Sequence, residues 1–150
     1  MLVIEGIDKL PQLVGKELGA SDWHEVTQDQ VNLFADATGD HQWIHVDVEK
    51  AAKGPFGAPI AHGYLTLSLL PVLMTGIARV SNIRMGINYG LNRVRFPSPV
   101  KVGSRIRAAS TIKEVTDIAD GVQVVFTVTV EIEGVEKPAC VAEPVVRYLV

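Results

Sequence analysis

The sequence has little of what marks a secreted protein. It contains one cysteine, Cys140, in 150 residues, so no internal disulfide can form, which is typical of a reducing compartment. The amino-terminal residues include neither a basic segment nor a long apolar run, so we expect no secretory signal peptide. We therefore predict a cytoplasmic protein.

An excess of positive charge is also absent. The 14 Lys and Arg residues against 17 Asp and Glu residues give a net charge of −3, which offers no electrostatic reason to expect a nucleic-acid partner. The charged fraction of 21% and the apolar fraction of 47% are those of an ordinary globular protein. The motifs GxGxxG, Walker A and GxSxG are missing. A chain of this length can bury a sizeable core, and we predict a single domain over residues 1–150.

The longest stretch without charge runs from Gly54 to Ala78 and contains no Asp, Glu, Lys or Arg. Its first part, up to Gly63, has too much Gly and Pro for regular structure. Its second part, Tyr64 to Ala78, predicts one helix that is apolar on all faces and therefore buried in a core. This helix is shorter than the roughly 20 apolar residues of a bilayer span, so we expect no membrane association. Pro71 inside it should produce a kink.

Two further helices are predicted before this central helix. Thr27 to Gln30 form a capping box for a helix from about Gln28 to Thr38. Asp47 is a candidate N-cap for a short helix from Val48 to Lys53. The connector between the two helices is polar and too short to be a domain boundary.

After the central helix, apolar residues alternate with polar ones, which predicts strands. Four strands are expected, at Ile83 to Phe96, Arg105 to Val115, Val122 to Ile132 and about Ala139 to Tyr148. The first of them should be bulged or interrupted around Gly86 and Gly90. Short links between the strands predict an antiparallel meander. We therefore predict an α+β fold, in which a curved antiparallel sheet wraps around one central helix.

Asp40 and His45, on the polar connector, are the first candidates for chemistry. A carboxylate can accept a proton and an imidazole titrates near neutral pH, so the two groups could share one water molecule. Residues five apart do not face each other on a regular helix, but they can converge on a loop that folds back. The alternative is structural, with Asp40 as a turn residue and His45 as a packed neighbour of Trp43.

His62 and Gly63 stand at the start of the central helix. The free N–H groups of a helix N-terminus stabilise developing negative charge, and glycine lets a ligand oxygen approach the backbone closely. The alternative is a glycine cap beside a half-buried histidine. Asp40, His41, His45 and His62 are all residue types that bind metals, but their spacing matches no zinc motif, so we predict no metal site.

Two segments of the chain resemble a known family. Phe34 to Asp47 followed by Gly57 to Gly63 is similar to the hydratase-2 motif of MaoC-like (R)-specific enoyl-CoA hydratases. Ile87 to Val100 resembles the form found in short, single-hot-dog mycobacterial or actinobacterial members. The resemblance implies the hot-dog fold, which agrees with the fold predicted from periodicity. It also implies reversible hydration of trans-2-enoyl-CoA to (R)-3-hydroxyacyl-CoA, in fatty-acid metabolism, without a metal or redox cofactor.

By position, the resemblance implies that Asp40 and His45 are the catalytic pair and that the Gly63 N–H donates to the thioester oxygen. It extends the expected substrate-binding set to Ile60, Ala61, His62, Asn88 and Tyr89, although the strand pattern alone favours structural roles for Asn88 and Tyr89. It further implies a homodimer with acyl-CoA at the subunit interface. Pro71 departs from the small polar residue that some relatives have further along the helix, which concerns the shape of the acyl pocket.

Three alternatives remain open for the function. A dehydratase of fatty-acid elongation would use the same site in reverse on a carrier-protein substrate. A hot-dog thioesterase commonly has a carboxylate on or just before the central helix, and Tyr64 to Ala78 contains none. A non-catalytic acyl-CoA-binding module would have no need for two proton-transfer groups such as Asp40 and His45.

Overall fold

The computed structural model describes residues 1–150. The helices are α1 (Gln28–Thr38), α2 (Trp43–Val46), α3 (Val48–Ala52), α4 (Gly63–Ser68) and α5 (Leu70–Ile77), with 3₁₀ turns at Ile7–Lys9 and Pro11–Leu13. The strands are β1 (Leu2–Glu5), β2 (Glu17–Ala20), β3 (His24–Glu25), β4 (Ala78–Ser81), β5 (Met85–Arg95), β6 (Arg105–Ile118), β7 (Gly121–Ile132) and β8 (Val135–Leu149). None of the helices combines the length and the hydropathy that a membrane span requires.

The main sheet is antiparallel and has the strand order β2-β6-β7-β8-β5, with β3 also pairing with β6. Strands β6, β7 and β8 form the predicted meander. The expectation that β5 neighbours β6 is wrong, because β5 pairs with β8 instead. The linker between β5 and β6 does not turn back on β5 but is bonded to the segment before the central helix. Ala61 N–H donates to the Val100 carbonyl (2.8 Å), and Val102 N–H donates to the Pro59 carbonyl (2.9 Å).

Strand β5 forms an edge of this sheet, and its pairing with β8 is irregular. The register shifts between Asn88 and Gly90 and again between Leu91 and Val94, which confirms the bulge predicted at Gly90. The bulge predicted at Gly86 is wrong, since Gly86 pairs regularly with Tyr148. The Gly86 backbone lies against the Tyr148 ring, at a distance where a Cβ atom would be in ordinary van der Waals contact, 3.4 Å.

A second, two-stranded sheet joins the amino-terminal strand to the strand that follows the central helix. Strand β1 pairs in parallel with β4, from Leu2 opposite Ala78 to Glu5 opposite Ser81. The sequence reasoning had not predicted either strand. Because β4 follows α5 without a break, this pairing places the amino terminus at the carboxyl end of the central helix.

Helix α1 begins and ends where the sequence predicted. The Thr27 hydroxyl accepts the Gln30 N–H (3.2 Å), and Gly39 ends the helix with a left-handed backbone, φ 82°. The second half of the predicted capping box is absent, because the Gln30 side chain bonds the His24 ring (3.0 Å). Helix α3 has the predicted cap, as the Asp47 carboxylate accepts the Lys50 N–H (3.1 Å).

The predicted central helix consists of α4 and α5, interrupted at the single residue Leu69. Leu69 keeps a helical backbone, and the bonds from Leu69 N–H to Leu65 and from Leu73 N–H to Leu69 are both 3.0 Å. Pro71 lies in the first turn of α5, where its missing N–H leaves no gap in the hydrogen bonding. The kink expected from Pro71 thus corresponds to a one-residue interruption at Leu69, after which α5 begins.

Only one face of α4 and α5 is covered, so the prediction of a helix buried on all sides is wrong. Its inner face joins the core with residues of β6, β7 and β8; the helical members of this core are Leu65, Leu69, Leu70, Leu73 and Ile77. On the outer face, Tyr64 is 70% exposed and Val72 is 62% exposed. Edge strand β5 also exposes apolar side chains, at Met85, Ile87, Tyr89 and Leu91. Since β5 joins the sheet beyond β8, no strand remains to cover this face of the helix.

Candidate active site

The connector after α1 folds back, as the sequence predicted. Asp40 follows the left-handed Gly39 and is exposed, and its carboxylate accepts the Gln42 N–H (3.3 Å). His45 lies in the four-residue helix α2 and is only 6% exposed. The side chains of Asp40, His45 and His62 come close together: one oxygen of Asp40 and one ring nitrogen of each histidine all lie within 4.8 Å of one another. The turn at Gly39 therefore converts a spacing of five residues into one compact polar cluster.

The orientation of the His45 ring is fixed by backbone groups. Its Nδ1 lies 2.6 Å from the Ile60 carbonyl oxygen. A carbonyl can only accept, so Nδ1 carries the hydrogen and Nε2 of the neutral ring is left with a free lone pair. The Gln28 side-chain amide donates to the His45 carbonyl (2.8 Å) and ties α2 to α1. The sequence analysis did not find Gln28, because it treated the start of α1 only as a capping box.

The surroundings of His45 favour its neutral form. Burial lowers the pKa of His45 below its usual 6.5, and the proximity of His62 lowers it further. The hydrogen bond with Ile60 and the nearby Asp40 carboxylate act in the opposite direction without reversing the shift. A neutral imidazole with a free Nε2 is a proton acceptor at neutral pH.

His62 is 3% exposed and contacts both members of the predicted pair. Its ring stacks on His45, with centroids 3.8 Å apart and planes at 22°, and it also packs against Phe34. Its Nε2 lies 2.9 Å from the Asp40 carbonyl oxygen and must therefore donate to it. Its Nδ1 is buried and has no hydrogen-bond partner. The structure thus places His62, predicted to bind substrate, against the backbone of Asp40 and the ring of His45.

Gly63 is the first residue of α4. Its N–H belongs to the first helical turn, where backbone donors have no partner within the helix, and it makes no other backbone hydrogen bond. The His62 carbonyl accepts the Leu65 N–H (3.0 Å) and the Thr66 N–H (3.2 Å) and closes this turn. A Cβ atom at Gly63 would lie 3.2 Å from the Phe96 ring. A side chain at this position would press on the Phe96 ring, so glycine gives the closest packing here, a contact that the sequence did not reveal.

The remaining predicted residues divide between two places. Ile60 and Ala61 are 8% and 5% exposed and act through their backbones, with the Ile60 carbonyl orienting His45. Asn88 and Tyr89 lie on edge strand β5 and line a separate cavity, whose wall includes none of Asp40, His45 and His62. The structure does not bring Asn88 and Tyr89 into the polar cluster.

The cluster of Asp40, His45 and His62 contains metal-binding residue types but has a poor geometry for a metal. Each histidine already uses one nitrogen on a backbone carbonyl. The two rings are stacked at 22°, so their lone pairs lie in two nearly parallel planes, an arrangement that is unfavourable for binding one ion at about 2.1 Å. This arrangement argues against a resident metal, in the same direction as the prediction from spacing.

A cavity of about 610 Å³ lies between the central helix and the sheet. Its wall starts at Leu67 and Ser68, one helical turn beyond Gly63, and is mainly apolar. Deeper residues of the wall include Leu70, Met74, Phe126, Val146 and Tyr148. Pro71, Thr75, Tyr89 and Leu91 form its exposed side, between the uncovered face of the helix and β5.

Solved structures share this architecture. A monoamine oxidase regulatory protein from Archaeoglobus fulgius aligns with a TM-score of 0.79 at 24% identity, over 99% of this chain and 98% of that chain. The (R)-hydratase from A. caviae involved in PHA biosynthesis aligns with a TM-score of 0.71 at 26% identity, over 89% of this chain and 94% of that chain. The hot-dog fold predicted from the sequence is confirmed.

Sequence relationships extend over the whole chain. The 3-hydroxyacyl-thioester dehydratase Z of Mycobacterium tuberculosis (strain CDC 1551 / Oshkosh) is 56% identical over 150 residues, which cover 99% of each protein. The MaoC like domain matches residues 9–134, a range that contains the polar cluster and the central helix. The chain therefore belongs to the MaoC-like domain family.

Proposed function

We propose that the protein is an (R)-specific enoyl-CoA hydratase, which adds water reversibly to trans-2-enoyl-CoA and forms (R)-3-hydroxyacyl-CoA. The observation that carries this proposal is the cluster in which the Asp40 carboxylate and His45 lie together just before the N-terminus of α4. The 56% identical relative is a 3-hydroxyacyl-thioester dehydratase, and the A. caviae neighbour is an (R)-hydratase. Hydration and dehydration are the two directions of one reaction.

The geometry suggests how the groups divide the work. A water molecule held between Asp40 and His45 gives a proton to the free Nε2 of His45 as its oxygen bonds to C3. The electron pair of the C2–C3 double bond moves towards the thioester, and the Gly63 N–H stabilises the enolate oxygen. The catalytic residues Asp40 and His45 then return a proton to C2 on the same face. One water molecule has thus been added to the substrate, and the enzyme is regenerated.

The cavity supports an acyl chain as the ligand. Its apolar wall begins one turn beyond Gly63, where a chain leaving the thioester would enter it. Pockets of this size and character are typical of small-molecule sites. Asn88 and Tyr89, which line the same cavity, would then touch the acyl chain and not the reacting carbons. Pro71 on its exposed side would influence which chain lengths fit.

We also propose a homodimer, on the basis of the uncovered apolar surface. Tyr64 and Val72 on the helix and Ile87 and Leu91 on β5 are all exposed, and β5 has one edge without a pairing strand. An unpaired edge beside apolar side chains is a natural site for a second copy. A two-fold pairing of β5 strands would close the exposed side of the cavity in both subunits.

The test follows the loss of enoyl-thioester absorbance with crotonyl-CoA and with a longer trans-2-enoyl-CoA. We expect turnover by the unmodified protein and a loss of about 10²- to 10⁴-fold in Asp40→Asn, the usual contribution of a general acid–base group. Asp36→Asn is the matched control, since the Asp36 side chain is 73% exposed and pairs only with His41. Binding of CoA esters without any turnover would contradict the proposal and favour a carrier-protein substrate or a binding module. Release of free CoA would instead indicate a thioesterase.

A further inference from the structure

Ser110, in the middle of β6, is a buried polar residue that the proposed reaction does not use. It is 3% exposed, and its hydroxyl is one of two buried side-chain polar groups without a hydrogen-bond partner. The flanking residues on the same face of the strand, Ala108 and Ile112, are fully buried core residues. Since side chains alternate along a strand, Ser110 points to the concave, helix-facing side of the sheet.

The residues directly opposite Ser110 on the two adjacent strands cannot satisfy this hydroxyl, and no other group bonds it in the structure. Across β6, Ser110 lies opposite Val128 on β7 and Gly19 on β2, and neither has a polar side-chain atom. Leaving a buried hydroxyl unpaired costs free energy, so the residue calls for an explanation.

The cavity supplies one, because Ser110 forms part of its wall together with Leu70 and Phe126. The hydroxyls on the helical wall already have partners: Ser68 donates to the Tyr64 carbonyl (2.6 Å) and Thr75 donates to the Pro71 carbonyl (2.7 Å). Ser110 therefore offers a free hydrogen-bonding group inside a largely apolar space.

We propose that Ser110 is a specificity-determining residue that hydrogen-bonds an oxygen function, a hydroxyl or a carbonyl, on the acyl chain of the substrate. This inference rests on the proposed function, because it assigns the cavity to the acyl chain. A buried polar group in a pocket discriminates strongly against a ligand that leaves it unpaired. The site would therefore prefer an oxygenated acyl chain to a plain alkyl chain of equal length.

The position of Ser110 indicates that the oxygen it would bind is not the 3-hydroxyl formed in the reaction. Strand β6 packs against α5, which starts at Leu70. At about 1.5 Å rise per residue, Leu70 lies roughly 10 Å along the helix from Gly63. The oxygen bound by Ser110 is thus remote from the 3-hydroxyl that the reaction forms next to Asp40 and His45.

The experiment measures binding, so that it does not depend on turnover. Dissociation constants are determined for saturated acyl-CoA thioesters of one length, either unsubstituted or with a single hydroxyl moved carbon by carbon along the chain. We expect one hydroxyl position to bind about 10- to 100-fold more tightly than its neighbours, and Ser110→Ala to abolish that difference. Thr111→Val is the control, because the adjacent Thr111 points to the opposite face of the sheet and should leave the preference unchanged.

A second readout concerns the protein without ligand. Because the hydroxyl is unpaired in the folded chain, Ser110→Ala should keep or raise the thermal unfolding midpoint. A lowered midpoint would overturn the proposal, since the hydroxyl would then have a structural partner. Equal affinity for plain and hydroxylated chains at every position would also overturn it. Failure of the proposed function would be seen separately, with trans-2-enoyl-CoA as the substrate, as an enoyl thioester that binds without being hydrated.

Discussion

The polar segment that leads into the central helix and the outer face of that helix with strand β5 differ in how much of their surface is buried. At the amino end, His45 and His62 are almost fully buried, and each is held by a backbone carbonyl, of Ile60 and of Asp40 respectively. On the outer face of the helix and on β5, apolar side chains such as Tyr64, Val72 and Ile87 are exposed. The groups of the first region all come from residues 40–63, whereas the second region leaves apolar side chains uncovered. We infer that local segments of one chain supply the catalytic groups, and that the proposed dimer encloses the substrate.

The largest effect is expected from removing His45, the proposed proton acceptor in the segment before the central helix. We expect His45→Gln to reduce kcat by about 10²- to 10⁴-fold, because glutamine cannot accept a proton. His41→Gln is the matched control, since the His41 side chain is 52% exposed and pairs only with Asp36. Steady-state hydration of crotonyl-CoA measures both. Similar losses in the two variants would mean that the connector, and not the His45 ring, is being perturbed.

A smaller effect is expected from His62, which contacts both catalytic candidates. His62→Leu removes the donor to the Asp40 carbonyl and should lower kcat by roughly 10- to 100-fold through misplacement of the pair, with KM nearly unchanged. His62→Gln keeps an amide donor near the Nε2 position and should restore most of kcat. Separate determination of kcat and KM checks this. A leucine variant that is as active as the glutamine variant would show that His62 only fills space.

On strand β5, a charge within the exposed apolar surface should separate the proposed subunits. Ile87→Lys would bury an ammonium group in the proposed interface, and we expect the dimer dissociation constant to rise about tenfold or more. Leu33→Lys is the control, because Leu33 is 69% exposed on α1, outside the proposed interface. Sedimentation velocity over a range of concentrations measures the assembly. A monomeric parent protein would refute the interface itself.

The mildest perturbation is pH. Since burial lowers the pKa of His45 below 6.5, the midpoint of the acid fall in kcat/KM should lie below that value. The sign for stability is the same: the unfolded chain binds the proton more readily, so His45 destabilises the fold as pH falls from 6.5 through its folded pKa. NMR titration of the His45 ring gives the pKa directly. A midpoint above 6.5 would contradict the description of the site.

Much of the amino end could be predicted from local sequence. The cap at Thr27, the left-handed Gly39 and the five-residue spacing of Asp40 and His45 depend on neighbours in the chain, and local rules describe them well. The stacking of His62 on His45 joins residues from distant segments, so periodicity gave no sign of it.

The strand pairing and the uncovered face of the helix were harder to predict, because they depend on contacts between distant parts of the chain. That β5 pairs with β8 and that β1 pairs with β4 depends on long-range register. The all-round apolar character of Tyr64 to Ala78 indicated burial, but part of that surface is left open in the single chain. An apolar residue that is covered by a partner subunit has the same sequence pattern as one buried in the core.

The most direct test of the central claim is the stereochemistry of the product. The protein is incubated with trans-2-enoyl-CoA in D₂O, and the product is examined by chiral chromatography and NMR. The proposed geometry predicts (R)-3-hydroxyacyl-CoA with deuterium at C2 on the same face as the new hydroxyl, formed about 10²- to 10⁴-fold more slowly with Asp40→Asn. An (S) product, or deuterium on the opposite face, would contradict the assignment of Asp40 and His45 as one pair acting on one face of the substrate.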